Sequence, residues 1–136
     1  MNRTLMDSGP MIALFDSSDQ YHSIAKDFIE ANTSELLTSL ASVTETMYML
    51  DFNKNAQMDF LEWLLRGAVQ IIEIGIADLD RIKVLLKKYQ DLPMDFADAC
   101  LVYIGEKLNV NEVATIDRDF SIYRLHDRIP FEMKLK

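Results

Sequence analysis

Cysteine is almost missing from this chain: Cys100 stands alone among 136 residues. No internal disulfide can form, so the fold must rest on a packed core. Cys100 itself falls inside an apolar helical pattern, where a buried inert thiol is favoured over a reactive one. Glycine and proline are scarce, at 4 and 3 residues, which excludes fibrous and low-complexity classes. No apolar run approaches the length of a membrane span, and the opening MNRTLMDSGP meets an acid at Asp7 without the long apolar core of a signal peptide. A soluble cytoplasmic protein with no membrane partner is the expectation. Histidine occurs only at His22 and His126, so no Cys/His cluster offers zinc a site, and both are read as surface or packing residues rather than general bases.

Cations are also in deficit. Fourteen Lys and Arg stand against 22 Asp and Glu, for a net charge of −8, which argues against a generic basic nucleic-acid binder. The acids are either a solvated surface or, in part, a pocket that divalent cations would neutralise so that phosphate binds to metal rather than to lysine. Their positions decide between the two.

What is present is ordinary globular material. Apolar residues make up 49% of the chain, enough for one domain over residues 1–136. Arg3 to Met6 reads as a buried strand leaving at Asp7 into the turn cluster Ser8-Gly9-Pro10, followed by a short helix over 11–15. Asp19 resembles an N-cap for a helix to Ala31. Glu35 to Thr38 is a second strand, with Thr38 or Ser39 capping a helix from Leu40 to Phe52. Asn55 starts another that ends near Gly67. The β-branched run 68–74 is a third strand. Helices follow over 78–89 and, after Pro93, over 95–108. Glu112 to Ile116 is a fourth strand closed by Asp117, and 129–135 adds a short edge strand. Strands separated by helices imply parallel pairing through right-handed crossovers, hence an α/β three-layer domain.

Ligand sites in such sheets lie beyond the carboxyl ends of the strands, where Asp7 and Asp117 fall. At about 100° per residue, Met94, Ala97, Leu101, Ile104 and Leu108 form one stripe, with Asp98 inside it. A carboxylate there must be protonated, paired or metal-bound. Asp95 lies to one side in the first turn and can simply favour the helix dipole. Glu45 sits in the middle of a second apolar face made by Ala41, Tyr48, Met49 and Phe52, opposite a first made by Leu40, Val43, Met47 and Leu50. Two such faces predict a helix packed on both sides. No basic residue stands at i±3 or i±4 from Glu45 or Asp98, which favours a shared acidic pocket over local ion pairs.

Four segments, LMDSGPMIAL, TSLASVTETMYML, PMDFADACLVYIGEKL and ATIDRDF, together resemble a PIN domain, close to the VapC-type toxins of prokaryotic toxin–antitoxin pairs. The resemblance spans nearly the whole chain. It implies a three-layer PIN-like domain whose central, mainly parallel sheet of four to five strands is flanked by helices. It also implies hydrolysis of RNA phosphodiester bonds with Mg²⁺ or Mn²⁺, with Asp7, Glu45, Asp98 and Asp117 as the acidic quartet. Asp119 resembles a supplementary metal ligand, while Ser8 and Thr115 resemble hydroxyls flanking the pocket and Asp95 an acid found in some relatives. Hard oxygen donors suit these ions. Such a metal lowers the pKa of an attacking water and stabilises charge on the phosphate, with Asp7, Asp98 and Asp117 as principal ligands and Glu45 at a second ion or the water. Lys54, Arg118, Arg124 and Arg128 are candidate RNA-rim cations, although Arg118, between two acids, also suits a salt bridge. By family, an RNA substrate, an antitoxin protein and a homodimer are the expected partners. The 8 methionines suit peptide docking, with core filling as the default explanation.

The competing reading is a PIN-like binding or scaffold module with a weak or idle site. An aspartyl phosphatase fails on its motif, because Ser8-Gly9 follows Asp7 where an Asp-x-Asp is needed. A receiver domain lacks its lysine after Ile74 or Ile116.

Overall fold

In a computed structural model, which describes residues 2–135, five strands form one parallel sheet. β1 (Arg3–Met6), β2 (Glu35–Ser39), β3 (Gln70–Ile72), β4 (Glu112–Ala114) and a late β7 (Glu132–Met133) lie in the order β3-β2-β1-β4-β7. Leu5 is central, in register with Leu37 on one side and Val113 on the other. From β1 the chain winds outward through β2 to β3, then returns to place β4 on the opposite side of β1. The strand order therefore reverses between β1 and β4, which opens a crevice at their carboxyl ends.

The helices cover both faces, and the strands alternate between them as a period-two element must. Leu5, Leu37 and Val113 face a core shared chiefly with α5 (Leu79–Lys88) and α6 (Phe96–Leu108). Their neighbours Met6, Leu36 and Ala114 face a second core built on α1 (Ser8–Phe15), α3 (Leu40–Met49) and α4 (Lys54–Leu65), with Phe28 and Ile29 of α2 (His22–Ala31) at its edge. Gly105 is needed where α6 meets the sheet: an added Cβ would stand 2.7 Å from the Val110 carbonyl and 2.9 Å from Leu125.

Several boundaries differ from the sequence reading. The turn cluster after Asp7 is itself helix. α1 begins at Ser8 with Asp7 as N-cap, and Pro10 fits its first turn because the N–H it lacks has no helical acceptor there. Asp19 does not cap α2; Tyr21 holds that position, and the Asp19 carboxylate accepts from the Tyr21 N–H in the preceding turn. α3 stops at Met49, and Asn53 caps α4 through its side chain. α4 ends at Leu65 and, as expected, Gly67 stands just beyond it, with a φ of +84°. There the Gly67 and Ala68 N–H groups close back onto Leu64 and Trp63. β3 is shorter than its β-branched run. β4 ends at Ala114, so Asp117 does not close the strand but caps the 3-10 turn Arg118–Ser121. The tail divides: β6 (Ile129–Pro130) pairs with β5 (Arg124–Leu125) in a hairpin, and only β7 joins the sheet.

The second apolar face of α3 is the largest departure. Tyr48 is 77% exposed and Phe52, just past the helix, 65%, with Met49 exposed beside them, and Leu40 of the first face is also exposed, at 63%. Periodicity shows that a face is apolar, not that anything covers it. Cys100 is buried as expected. No described helix is long and apolar enough to cross a membrane.

Candidate active site

The crevice at the β1/β4 reversal holds a pocket of about 490 Å³ lined by seven carboxylates, Asp7, Asp19, Glu45, Asp95, Asp98, Asp117 and Asp119, with Ser8, Tyr21 and Met49 among the other walls. Among the described residues no Lys, Arg or His lines it. All four acids of the sequence-derived quartet are brought together, along with Asp119, Ser8 and Asp95.

The acids other than Asp119 accept from backbone or hydroxyl groups. Asp7 leaves the central strand, and its N–H donates to the Ala114 carbonyl at 3.0 Å, locking the crevice floor. Its Oδ1 accepts from the Ser8 N–H at 2.8 Å and its Oδ2 from the Thr115 hydroxyl at 2.7 Å. Thr115 lies behind the pocket wall, where its Oγ1 accepts from the Asp117 N–H at 2.9 Å. Asp7, Thr115 and Asp117 are thus one chain of bonds across the reversal. The Asp117 carboxylate in turn accepts from the Asp119 N–H at 2.9 Å. On α3, Glu45 accepts from the Ser8 hydroxyl at 2.9 Å.

Asp95 and Asp98 cap α6 reciprocally: Asp95 Oδ1 accepts from the Asp98 N–H at 2.8 Å, and Asp98 Oδ2 from the Asp95 N–H at 3.2 Å. Asp98 is buried, as its place in the apolar stripe implied. Asp95 is more than a charge on the dipole. It is the N-cap itself and a wall of the pocket. Glu45 reaches the pocket by a different route from the one its pattern suggested, because it is half-buried at the rim of an open face rather than enclosed between two packed ones.

The electrostatics follow from burial without cations. Burial raises the Asp7 carboxyl to about 6 against the bonds from Thr115 and Ser8, with Asp117 and Asp95 adding to the rise. Asp98 rises first by burial and then by the charges of Asp7, Asp95 and Asp117. Glu45 rises by burial and by the approach of the Asp95 carboxyl. A site that raises its acids this way attracts a compensating cation. The donor set, all carboxylate and hydroxyl oxygen, is that of Mg²⁺ or Mn²⁺. Among the described residues no three of these side chains are already closed into a coordination shell; the site is an open acidic pocket whose donor chemistry fits a hard divalent ion.

Comparison with known proteins bears on this arrangement. The family model of the PIN domain matches residues 4–125. This chain belongs to the PIN domain family. Among relatives, this PIN domain is 25% identical over 116 residues to ribonuclease VapC26 of Mycobacterium tuberculosis, covering 84% of this chain and 86% of that protein. Its fold is similar to that of Mycobacterium tuberculosis VapC20, a Sarcin-Ricin loop cleaving toxin, with a TM-score of 0.80 at 19% identity over 88% of this chain and 93% of that one. It is also similar to a chain in a toxin–antitoxin complex from Klebsiella pneumoniae, with a TM-score of 0.65 at 24% identity, 87% of this chain and 90% of that one being covered.

The expected rim cations do not line the pocket. Arg124 is occupied elsewhere, since its guanidinium donates to the carbonyls of Ser121, Ile122 and Tyr123. Lys54 opens α4 and Arg128 lies in the β5–β6 hairpin, both exposed, while Arg118 is exposed between two pocket acids. Sequence reasoning missed Asp19 and Tyr21 as pocket walls. Both stand before α2, and only the packing of that turn against the crevice reveals them.

A second hollow adjoins the first. An apolar groove of about 1090 Å³ runs between α3 and the exit of β3, lined by Leu40, Ala41, residues 71–76, Leu79 and Phe96, and it shares Glu45 and Asp95 with the acidic pocket.

Proposed function

We propose that this PIN domain is a divalent-metal-dependent endoribonuclease acting on cytoplasmic RNA, the toxin of a toxin–antitoxin pair. The observation that carries the reading is the pocket of seven carboxylates with no lining cation among the described residues, joined by a family whose relative here is named a ribonuclease. Asp7, Asp98 and Asp117 would hold the ion, with Asp119 in support and Glu45 beside it. A bound Mg²⁺ or Mn²⁺ supplies Lewis-acid polarisation of the phosphodiester and a water of lowered pKa. The chain supplies position. Thr115 and the Ser8 N–H fix the two oxygens of Asp7, and the Ser8 hydroxyl holds one oxygen of Glu45, which would orient an attacking water or accept its proton. The Asp95 cap holds Asp98 at the helix start. Arg118, exposed between two pocket acids, is the candidate cation for the flanking phosphates.

Two protein partners complete the proposal. An antitoxin segment with an apolar face fits the groove beside the acids, where it would block RNA from the pocket. A second copy of the chain covers the exposed end of α3 in a homodimer.

The test is cleavage of a panel of structured RNAs with Mg²⁺ or Mn²⁺, wild type beside Asp7→Asn and Asp98→Asn. Metal-dependent cutting that both substitutions reduce at least a hundredfold is the expected result. If all three proteins behave alike and none binds Mn²⁺, the idle scaffold module replaces the nuclease.

A further inference from the structure

Arg124 follows the 3-10 turn Arg118–Ser121 that carries Asp119. Its Nη1 donates to three successive carbonyls, those of Ser121 at 2.8 Å, Ile122 at 3.1 Å and Tyr123 at 2.9 Å. Its own N–H donates to the hydroxyl of Tyr89, the C-cap of α5, at 3.1 Å. Carbonyls at the end of a helical turn have no N–H to receive and favour a cation. From that end the turn leads by consecutive bonds to the floor of the acidic pocket. The Ile122 and Tyr123 N–H groups donate to the Asp119 carbonyl at 2.9 and 3.2 Å. The Asp119 N–H donates to Asp117 Oδ1 at 2.9 Å, the Asp117 N–H to Thr115 Oγ1 at 2.9 Å, and the Thr115 hydroxyl to Asp7 Oδ2 at 2.7 Å. The segment that carries Asp117 and Asp119 is therefore fastened at one end by Asp7 and at the other by Arg124.

We infer that Arg124 is a positioning residue of the acidic pocket: its guanidinium clamps the far end of the 3-10 turn and so holds Asp117 and Asp119 where they converge with Asp7 on a divalent ion. A 3-10 turn has poorer internal hydrogen-bond geometry than an α-helix and depends more on what holds its ends. Bonds from a charged donor are the stronger kind, and here one nitrogen gathers three of them. Groups behind metal ligands act in this way, orienting them without touching the ion. The inference rests on the metal-binding reading of the pocket.

The test compares Arg124→Met with Lys88→Met, which removes the same charge from an ion pair with Asp127 in the adjoining hairpin. Charge and position make opposite predictions. Removing a cation leaves the pocket more negative and by itself makes Mn²⁺ bind more tightly, whereas a lost clamp makes it bind more weakly. Calorimetric titration at pH 7.5 should show Mn²⁺ affinity about tenfold weaker in Arg124→Met and no weaker than wild type in Lys88→Met. Tighter binding or a loss under threefold in Arg124→Met, or an equal loss in both variants, overturns the inference. Amide hydrogen exchange in EDTA reads the turn without metal. The Asp119 and Ile122 N–H groups should exchange at least about fivefold faster in Arg124→Met, the factor that one net hydrogen bond confers, while the Asp7 N–H, bonded to Ala114, keeps its wild-type rate. Unchanged exchange in the turn, or an equal rise at Asp7, also overturns it. A wild type that binds no Mn²⁺ removes the metal reading, and the positioning role falls with it, while exchange still reports separately whether Arg124 holds the turn.

Discussion

Raising the pH should destabilise the metal-free protein, and the acidic pocket sets where. Asp7 has its carboxyl lifted from 3.8 to about 6 in the folded chain. The folded state therefore binds the proton more tightly than the unfolded one, and stability is lost as pH rises from about 4 through 6. The shift of roughly two pH units corresponds to about 3 kcal/mol at full ionisation, of which about half accumulates above pH 5. Asp98 and Glu45 are raised as well and add in the same direction. Groups pushed the opposite way, Asp78, Glu106 and Asp127, are ionised in both states above pH 5 and leave that window to the pocket. In a domain of this size 1 kcal/mol moves the melting temperature by about 4 °C. Asp7 alone should thus lower Tm by about 5 °C between pH 5 and 7.5 in EDTA, followed by circular dichroism. Saturating Mn²⁺ should flatten the slope by binding the ionised carboxylates, and Asp98→Asn should flatten it in part without metal. A metal-free Tm that holds level or climbs from pH 5 to 7.5 would refute the account of the pocket as uncompensated buried charge.

Gly105→Ala should cost about 1–3 kcal/mol by denaturant unfolding, since its Cβ would press on the Val110 carbonyl at 2.7 Å; an unchanged midpoint would mean that α6 shifts freely on the sheet. Tyr48→Ser with Phe52→Ser should convert a self-associating chain to monomer in sedimentation velocity while RNA cleavage stays within about twofold. A wild type that is monomeric at tens of micromolar removes the homodimer.

Much of this protein is legible without coordinates because its signals are local. Short segments bounded by turn and cap residues placed β1, β2 and β4, and caps and apolar stripes placed most of α2 to α6 to within a few residues, since turn chemistry and hydrogen bonding along the backbone are short-range properties. Asp98 was readable for the same reason: one helix turn determines which side it faces. What needed tertiary structure are relations between segments far apart in sequence. The bond from Thr115 to Asp7 spans 108 residues, and no pattern within either segment implies it. Asp117 was assigned to the correct edge but the wrong element, because the last pairs of β4 depend on its neighbours in the sheet. Asp19 and Tyr21 become pocket walls only through the docking of a turn, and Arg124 is withdrawn from the rim by carbonyls that its own loop presents. The second apolar face of α3 marks the boundary most clearly. Its residues and their spacing were plain in the sequence, but whether they meet protein or water is decided by what the rest of the chain leaves uncovered.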